Sequence, residues 1–187
     1  MKNRWAALQV INIGTLMSTM DVGIVNVALP KISYQFDTSL SQVQWVVTCY
    51  LLSMITFLPF FGRLSDIVSR KTVYCVGFLV FSLGCLLVDM APGLWFVLIA
   101  RCVQGLGATL IMANSQAMVV EIFPNQERGK ALGFNAVVIS FGTLIGPTVG
   151  GSLMTEIGWA ALFLVQVPLG IAGAILGWRS LSTCKIS

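Results

Sequence analysis

Histidine is absent from this 187-residue chain and charge is scarce, with 11 Lys and Arg, 7 Asp and Glu, and only 10% of residues charged. Without imidazole the sequence lacks the commonest general base, the commonest metal ligand and the usual activator of a serine or cysteine nucleophile, so hydrolytic chemistry is not expected. Soluble domains carry about 25% charged residues. So small a polar set does not wrap a water-soluble globule of this size, and the bilayer is the expected solvent. No G-x-x-x-x-G-K-[ST] phosphate loop occurs, so ATP hydrolysis by the chain itself is not expected. C-x-x-C is missing too; Cys49, Cys75, Cys85 and Cys102 sit in apolar stretches and Cys184 in the tail, where they read as small hydrophobes. The net charge of +4 comes from scattered basic residues rather than a basic stripe, which argues against nucleic acid as a partner. No cofactor or metal is expected.

What the chain has instead is apolar length: 57% of residues are hydrophobic and the mean hydropathy is +0.89. A bilayer core needs about 20 apolar residues per helix, and six runs qualify: Trp5 to Leu29, Val43 to Phe61, Thr72 to Met90, Leu94 to Val120, Lys130 to Met154 and Trp159 to Trp178. The expected fold class is an all-α membrane protein, one bundle of six transmembrane helices. The loops between the runs leave no room for a separate soluble domain. The start, Met1-Lys2-Asn3-Arg4 before an apolar run, resembles a secretory signal, but the run is too long and no small-residue cleavage site follows; it reads as a retained first helix.

Lys and Arg concentrate on the cytoplasmic side of membrane proteins. Lys2, Arg4, Arg63, Arg70, Lys71, Arg128, Lys130, Arg179 and Lys185 all fall on one side, Lys31 alone falls on the other, and Arg101 lies within a span. Both termini are therefore expected in the cytoplasm. The tryptophans agree, with Trp5 and Trp178 at inner ends and Trp45, Trp95 and Trp159 at outer ends.

Two charges lie inside spans, Asp21 in the first and Arg101 in the fourth. Either one costs about 2.5–3.5 kcal/mol near a helix centre on insertion scales, so each needs an offset. Asp21 precedes Leu29 by eight residues and Arg101 follows Leu94 by seven; at about 1.5 Å per residue both lie roughly 10–12 Å below the outer face. They are expected to meet. A carboxylate in a bundle interior can carry a proton or attract a cation, whereas an apolar pair would fasten the helices without desolvating charge. Asn26, Gln104 and Asn114 are expected to line a wet cavity beside the pair.

At the inner ends, Asp66 and Glu121 neighbour Arg70, Lys71 and Arg128 and are expected to form a charge cluster that latches helices. In the fifth span Gly142, Gly146 and Gly150 make two overlapping G-x-x-x-G steps, and Pro147 and Gly151 lie beside them. These residues favour close packing and a kink.

These motifs together resemble the major facilitator superfamily, and within it the drug:proton antiporters of the fourteen-helix branch. Asp21-Val-Gly23-Ile-Val-Asn26-Val-Ala28-Leu29-Pro30 is similar to that branch's first-helix signature, with Gly23 where Thr is usual. Gly62-Arg-Leu64-Ser-Asp66-Ile-Val-Ser69-Arg70-Lys71 is similar to the superfamily's loop motif, with Ser69 replacing a glycine and Ile67 a basic residue. Arg101 to Ala108 resembles the Arg-bearing motif, and Gly146 to Gly151 the antiporter motif. Trp159, Phe163, Pro168 and Gly170 resemble the sixth helix, with Gln166 where Asn is usual.

The resemblance covers the N-terminal six-helix half. It implies a rocker-switch, proton-coupled multidrug exporter of the cell membrane, moving lipophilic and cationic compounds. In such an exporter Asp21 would take part in proton or substrate binding, tuned by Arg101. Gly62, Asp66 and Arg70 would hold the outward-open state, and the fifth helix would resist proton leak. Transporters of this kind have two six-helix bundles around a midplane site. A second bundle is thus required, either a homodimer partner or a missing C-terminal half. The alternative is a truncated, inactive or regulatory membrane subunit that packs against a full transporter. The tail Ser180 to Ser187 resembles nothing in the family, as truncation would leave it.

Overall fold

A computed structural model describes residues 4–181 as helices joined by short connections. Lys2, Cys184, Lys185 and all but the start of the tail lie outside the described residues. The helices are α1 (Arg4–Gln35), α2 (Leu40–Val43), α3 (Trp45–Ile67), α4 (Arg70–Asp89), α5 (Leu94–Ile122), α6 (Asn125–Ile157), α7 (Ala161–Leu164) and α8 (Gln166–Ser180). Residue Gln44 joins α2 to α3 and Val165 joins α7 to α8, which leaves, among the described residues, six helices long and apolar enough to cross a membrane.

The helices outrun the apolar runs that mark them. Helix α1 continues six residues beyond Leu29, through Pro30, to Gln35. Pro30 removes one backbone bond, to the carbonyl of Asn26, but Ile32 is fully buried and anchors the extension. The helix ends where Asp37 turns left-handed at φ 47°. Helix α3 likewise runs on to Ile67 and α6 starts at Asn125. Hydropathy marks only the apolar stretch, whereas the backbone goes on pairing with itself beyond it. At the start of the second span, Ser39 and Gln42 form a capping box that satisfies free N–H groups in advance of α3.

Helix α1 is central, with 61% of its most apolar 18 residues buried, against 11% for the α2–α3 span and 17% for α6. It packs on α6, α5 and α8, while α5 packs on α3 and α4. Glycines set the closest crossings. A Cβ on Gly84 of α4 would lie 2.6 Å from the Cα of Gln104 on α5. One on Gly146 of α6 would lie 2.7 Å from the carbonyl oxygen of Met20, and one on Gly23 of α1 would lie 2.7 Å from Cδ of Pro147. Gly142 and Gly150 face Thr19 and Ile24 in the same seam, whereas Gly151 has only an ordinary contact with Val27.

Gly84→Val is expected to push α4 off α5 and destabilise the bundle by about 1–3 kcal/mol. Gly62→Ala, with nothing within 4 Å of the new methyl group, is expected to raise stability by about 0.5–1 kcal/mol, since alanine suits a helix interior better than glycine. Thermal unfolding midpoints in detergent check both.

Candidate functional site

Asp21 and Arg101 are both fully buried and meet directly. Arg101 Nη1 donates to Asp21 Oδ2 at 2.7 Å. The other carboxylate oxygen, Oδ1, accepts from Gln104 Nε2 at 2.8 Å and from Gln166 Nε2 at 3.3 Å. Gln104 stands one turn after Arg101 on α5, so its Oε1 also accepts from Arg101 Nη1 at 2.5 Å, and its Nε2 lies 3.1 Å from Cys85 Sγ on α4. Arg101 Nε donates to the Val46 carbonyl of α3 at 3.0 Å. Its guanidinium lies over the Tyr50 ring, 4.3 Å from the centroid, and 5.8 Å from that of Phe163. Tyr50 in turn donates to the Ser18 carbonyl at 3.2 Å. The ion pair and the side chains bonded to it thus gather groups from α1, α3, α4, α5, α7 and α8.

Three donors thus converge on the Asp21 carboxyl group, and the buried guanidinium beside it makes the two side chains mutually dependent. Two polar atoms in the cluster have no partner, Arg101 Nη2 and Gln166 Oε1. Gln166 also forms part of the wall of a cavity of about 130 Å³ between α1 and α8, otherwise lined by Ile13, Leu16, Met17, Met20 and Leu169.

Asn26 does not join this cluster. It is exposed, and five residues beyond Asp21 it is turned about 140° around α1, which corrects the expectation of a shared cavity wall. Asn114 is buried but distant, thirteen residues and about 20 Å along α5 from Arg101; its Nδ2 donates to the Leu110 carbonyl at 2.8 Å. Gln166, Tyr50, Cys85 and the Val46 carbonyl were not assigned from sequence. Gln166 carries the one available signal, an amide in an apolar helix at a position where the resemblance expects another amide.

A second buried polar cluster, also not anticipated, lies nearer the basic end. Asn135 Nδ2 donates to Asn12 Oδ1 at 2.8 Å and to Thr15 Oγ1 at 3.2 Å, and Thr15 reaches Ser115 Oγ at 3.3 Å. Tyr74 donates to the Ile11 carbonyl at 2.9 Å. These bonds tie α1 to α4, α5 and α6.

Of the predicted gating residues, three come together. Arg70 Nη2 lies 2.8 Å from Asp66 Oδ1, and Nη1 lies 3.8 Å from Glu121 Oε2. Lys71 is elsewhere, its Nζ 5.3 Å from the Trp178 ring centroid, and Arg128 Nε donates to the Phe123 carbonyl at 3.0 Å. The expected cluster is therefore smaller, because both side chains find partners on their own side of the bundle. Gly62 contributes a carbonyl that accepts from Ser65 Oγ at 2.6 Å.

Among the described residues, six membrane-length helices closed around a buried ion pair define a polytopic membrane bundle. The chain belongs to the Major Facilitator Superfamily, whose family model matches residues 11–183. It is 38% identical over 181 residues to the riboflavin transporter RibZ of Clostridioides difficile (strain 630), covering 97% of this chain and 40% of that protein. Against the methylenomycin A resistance protein of Streptomyces coelicolor (strain ATCC BAA-471 / A3(2) / M145) the identity is 36%, over 92% of this chain and 36% of the relative. Against the multidrug resistance protein Stp of Mycobacterium tuberculosis (strain CDC 1551 / Oshkosh) it is 37%, over 90% of this chain and 32% of the relative. The chain thus spans 32–40% of the length of these relatives. It is of a transporter family, not an enzyme family.

Arg101→Ala is expected to leave Asp21 buried without a counter-charge and to cost about 3–5 kcal/mol of stability. The double variant Asp21→Asn/Arg101→Met removes both charges and is expected to recover part of that loss. Unfolding midpoints of the single and double variants, measured side by side in one detergent, check the coupling.

Proposed function

We propose that this chain is the N-terminal bundle of a proton-coupled exporter of lipophilic organic cations, of the fourteen-helix drug:proton antiporter branch, working in the cell membrane. The observation that carries the reading is the Asp21 carboxylate, fully buried and held by Arg101, Gln104 and Gln166. Intramembrane acids of this kind mark ion and proton pathways. A proton on Asp21 cancels its charge and loosens the tie to Arg101, which keeps Gln104 Oε1 and the Val46 carbonyl as acceptors. Helices α1, α3 and α5 are thereby joined more or less tightly according to one protonation state. The Arg70–Asp66–Glu121 contacts tie the basic ends of α3, α4 and α5, where they act as a latch. The Gly-Pro seam lets α6 lie directly against α1 beside Asp21.

The poorly buried faces of α3 and α6 support a second six-helix bundle as partner, a C-terminal half or a second copy. The two halves of this fold are parallel repeats about an axis along the membrane normal. In either arrangement the partner completes the substrate site with the bilayer around it.

In proteoliposomes holding the complete assembly, Asp21→Asn is expected to abolish dye movement driven by a pH gradient, with insertion unchanged. Flux equal to that of the unaltered protein overturns the reading. The relative described as a riboflavin transporter favours a second reading, transport of an uncharged fused-ring compound. Saturable riboflavin uptake without any cation flux would select it.

A further inference from the structure

The outer end of the bundle carries a concavity whose walls include none of the side chains of the Asp21 cluster. It has a volume of about 440 Å³, within the 300–1,000 Å³ typical of small-molecule sites. Phe36, Trp45 and Trp95 supply aromatic walls, Leu98 an aliphatic one, and Thr38 and Gln42 the polar atoms. Its parts come from the end of α1, the capped turn at α2, and the starts of α3 and α5. Phe36 is braced from behind by Trp159, in an edge-to-face pair with centroids 6.1 Å apart. Thr38 Oγ1 is buried and has no hydrogen-bond partner.

The charge around this concavity has one sign. Asp37 sits between Phe36 and Thr38, and Asp89 precedes Gly93, another wall residue, by four positions; both are exposed. Neither takes part in an ion pair among the described residues. No Lys or Arg lines the concavity, and Lys31, the outer-end cation, is directed to the Met154 carbonyl at 3.1 Å. Tryptophans that only anchor a helix at the headgroup layer have no need to share one hollow. Here two of them do, together with a phenylalanine, and the exposed Asp37 lies between two wall residues in the chain. Aromatic faces and a negative field both favour a cation.

We propose that this hollow is a binding site for a small aryl- or alkylammonium ion at the outer mouth, separate from the buried acid. It deepens the exporter reading, but binding there does not depend on transport. Leu98 precedes Arg101 by one turn, about 4.5 Å along α5, and Trp45 adjoins Val46, whose carbonyl holds Arg101. A cation seated in the hollow therefore stands directly outward of the ion pair.

Equilibrium dialysis of radiolabelled benzyltrimethylammonium against the full chain in zwitterionic nanodiscs tests the site, with empty nanodiscs as blank. Saturable binding is expected. Trp45→Leu and Trp95→Leu are each expected to raise Kd by about 2- to 5-fold, with Trp178→Leu as the control at the opposite end. Asp37→Asn/Asp89→Asn is expected to weaken binding at low salt and to remove most of its salt dependence. Binding that survives Asp21→Asn but weakens in the two tryptophan variants supports the outer site. Binding lost in Asp21→Asn and unaltered in the tryptophan variants places the cation at the buried acid and overturns it, as does an absence of saturable binding. Loss of proton-driven flux in Asp21→Asn is a separate readout, so failure of one reading leaves the other standing.

Discussion

A carboxylate facing a guanidinium in an apolar interior is the constraint around which this bundle is organised. Neither charge tolerates lipid, and each needs more than the other to be satisfied, since Asp21 has two oxygens to fill and Arg101 five N–H groups to place. The outcome is a shell of amides, one backbone carbonyl and an aromatic ring, drawn from almost every helix. The position of α1 at the centre follows: only a helix enclosed on most sides can keep such a side chain away from the acyl chains. Helices that supply no group to the shell, above all α6, are held by backbone proximity instead, through Gly23, Gly142, Gly146 and Gly150.

The two modes of attachment differ physically. Side-chain hydrogen bonds around Asp21 are electrostatic and directional, whereas the glycine seams between α1 and α6 and between α4 and α5 are steric. A bundle built from both is held along its seams by close packing and at a few buried points by polar contacts.

Much of this architecture was legible in the sequence because the bilayer imposes simple rules. Apolar length reported six spans, and depth alone brought Asp21 and Arg101 to the same level. Helix ends were legible only to within several residues, since Pro30 and the charged residues near Asp66 and Glu127 interrupt hydropathy without stopping the helix. The amide shell was legible in part. Gln104 shares a turn with Arg101, but it bonds to Asp21 directly instead of lining a cavity as expected; Gln166 lies 145 residues from Asp21 in the chain, and only the fold brings it there. Asn26 misled because nearness along a helix is not nearness on one face. Lys71 and Arg128 misled because a rule about charge says on which side a residue lies, not which neighbour it chooses.

The eighty residues that separate Asp21 from Arg101 also set a schedule for biogenesis. At about 5–20 residues per second of synthesis, the first helix leaves the ribosome some 4–16 s ahead of its counter-ion. During that interval the acid has no guanidinium to meet. The polar centre of the bundle can therefore close only once the fourth span has been made, so that helix order in the chain dictates the order in which the core matures.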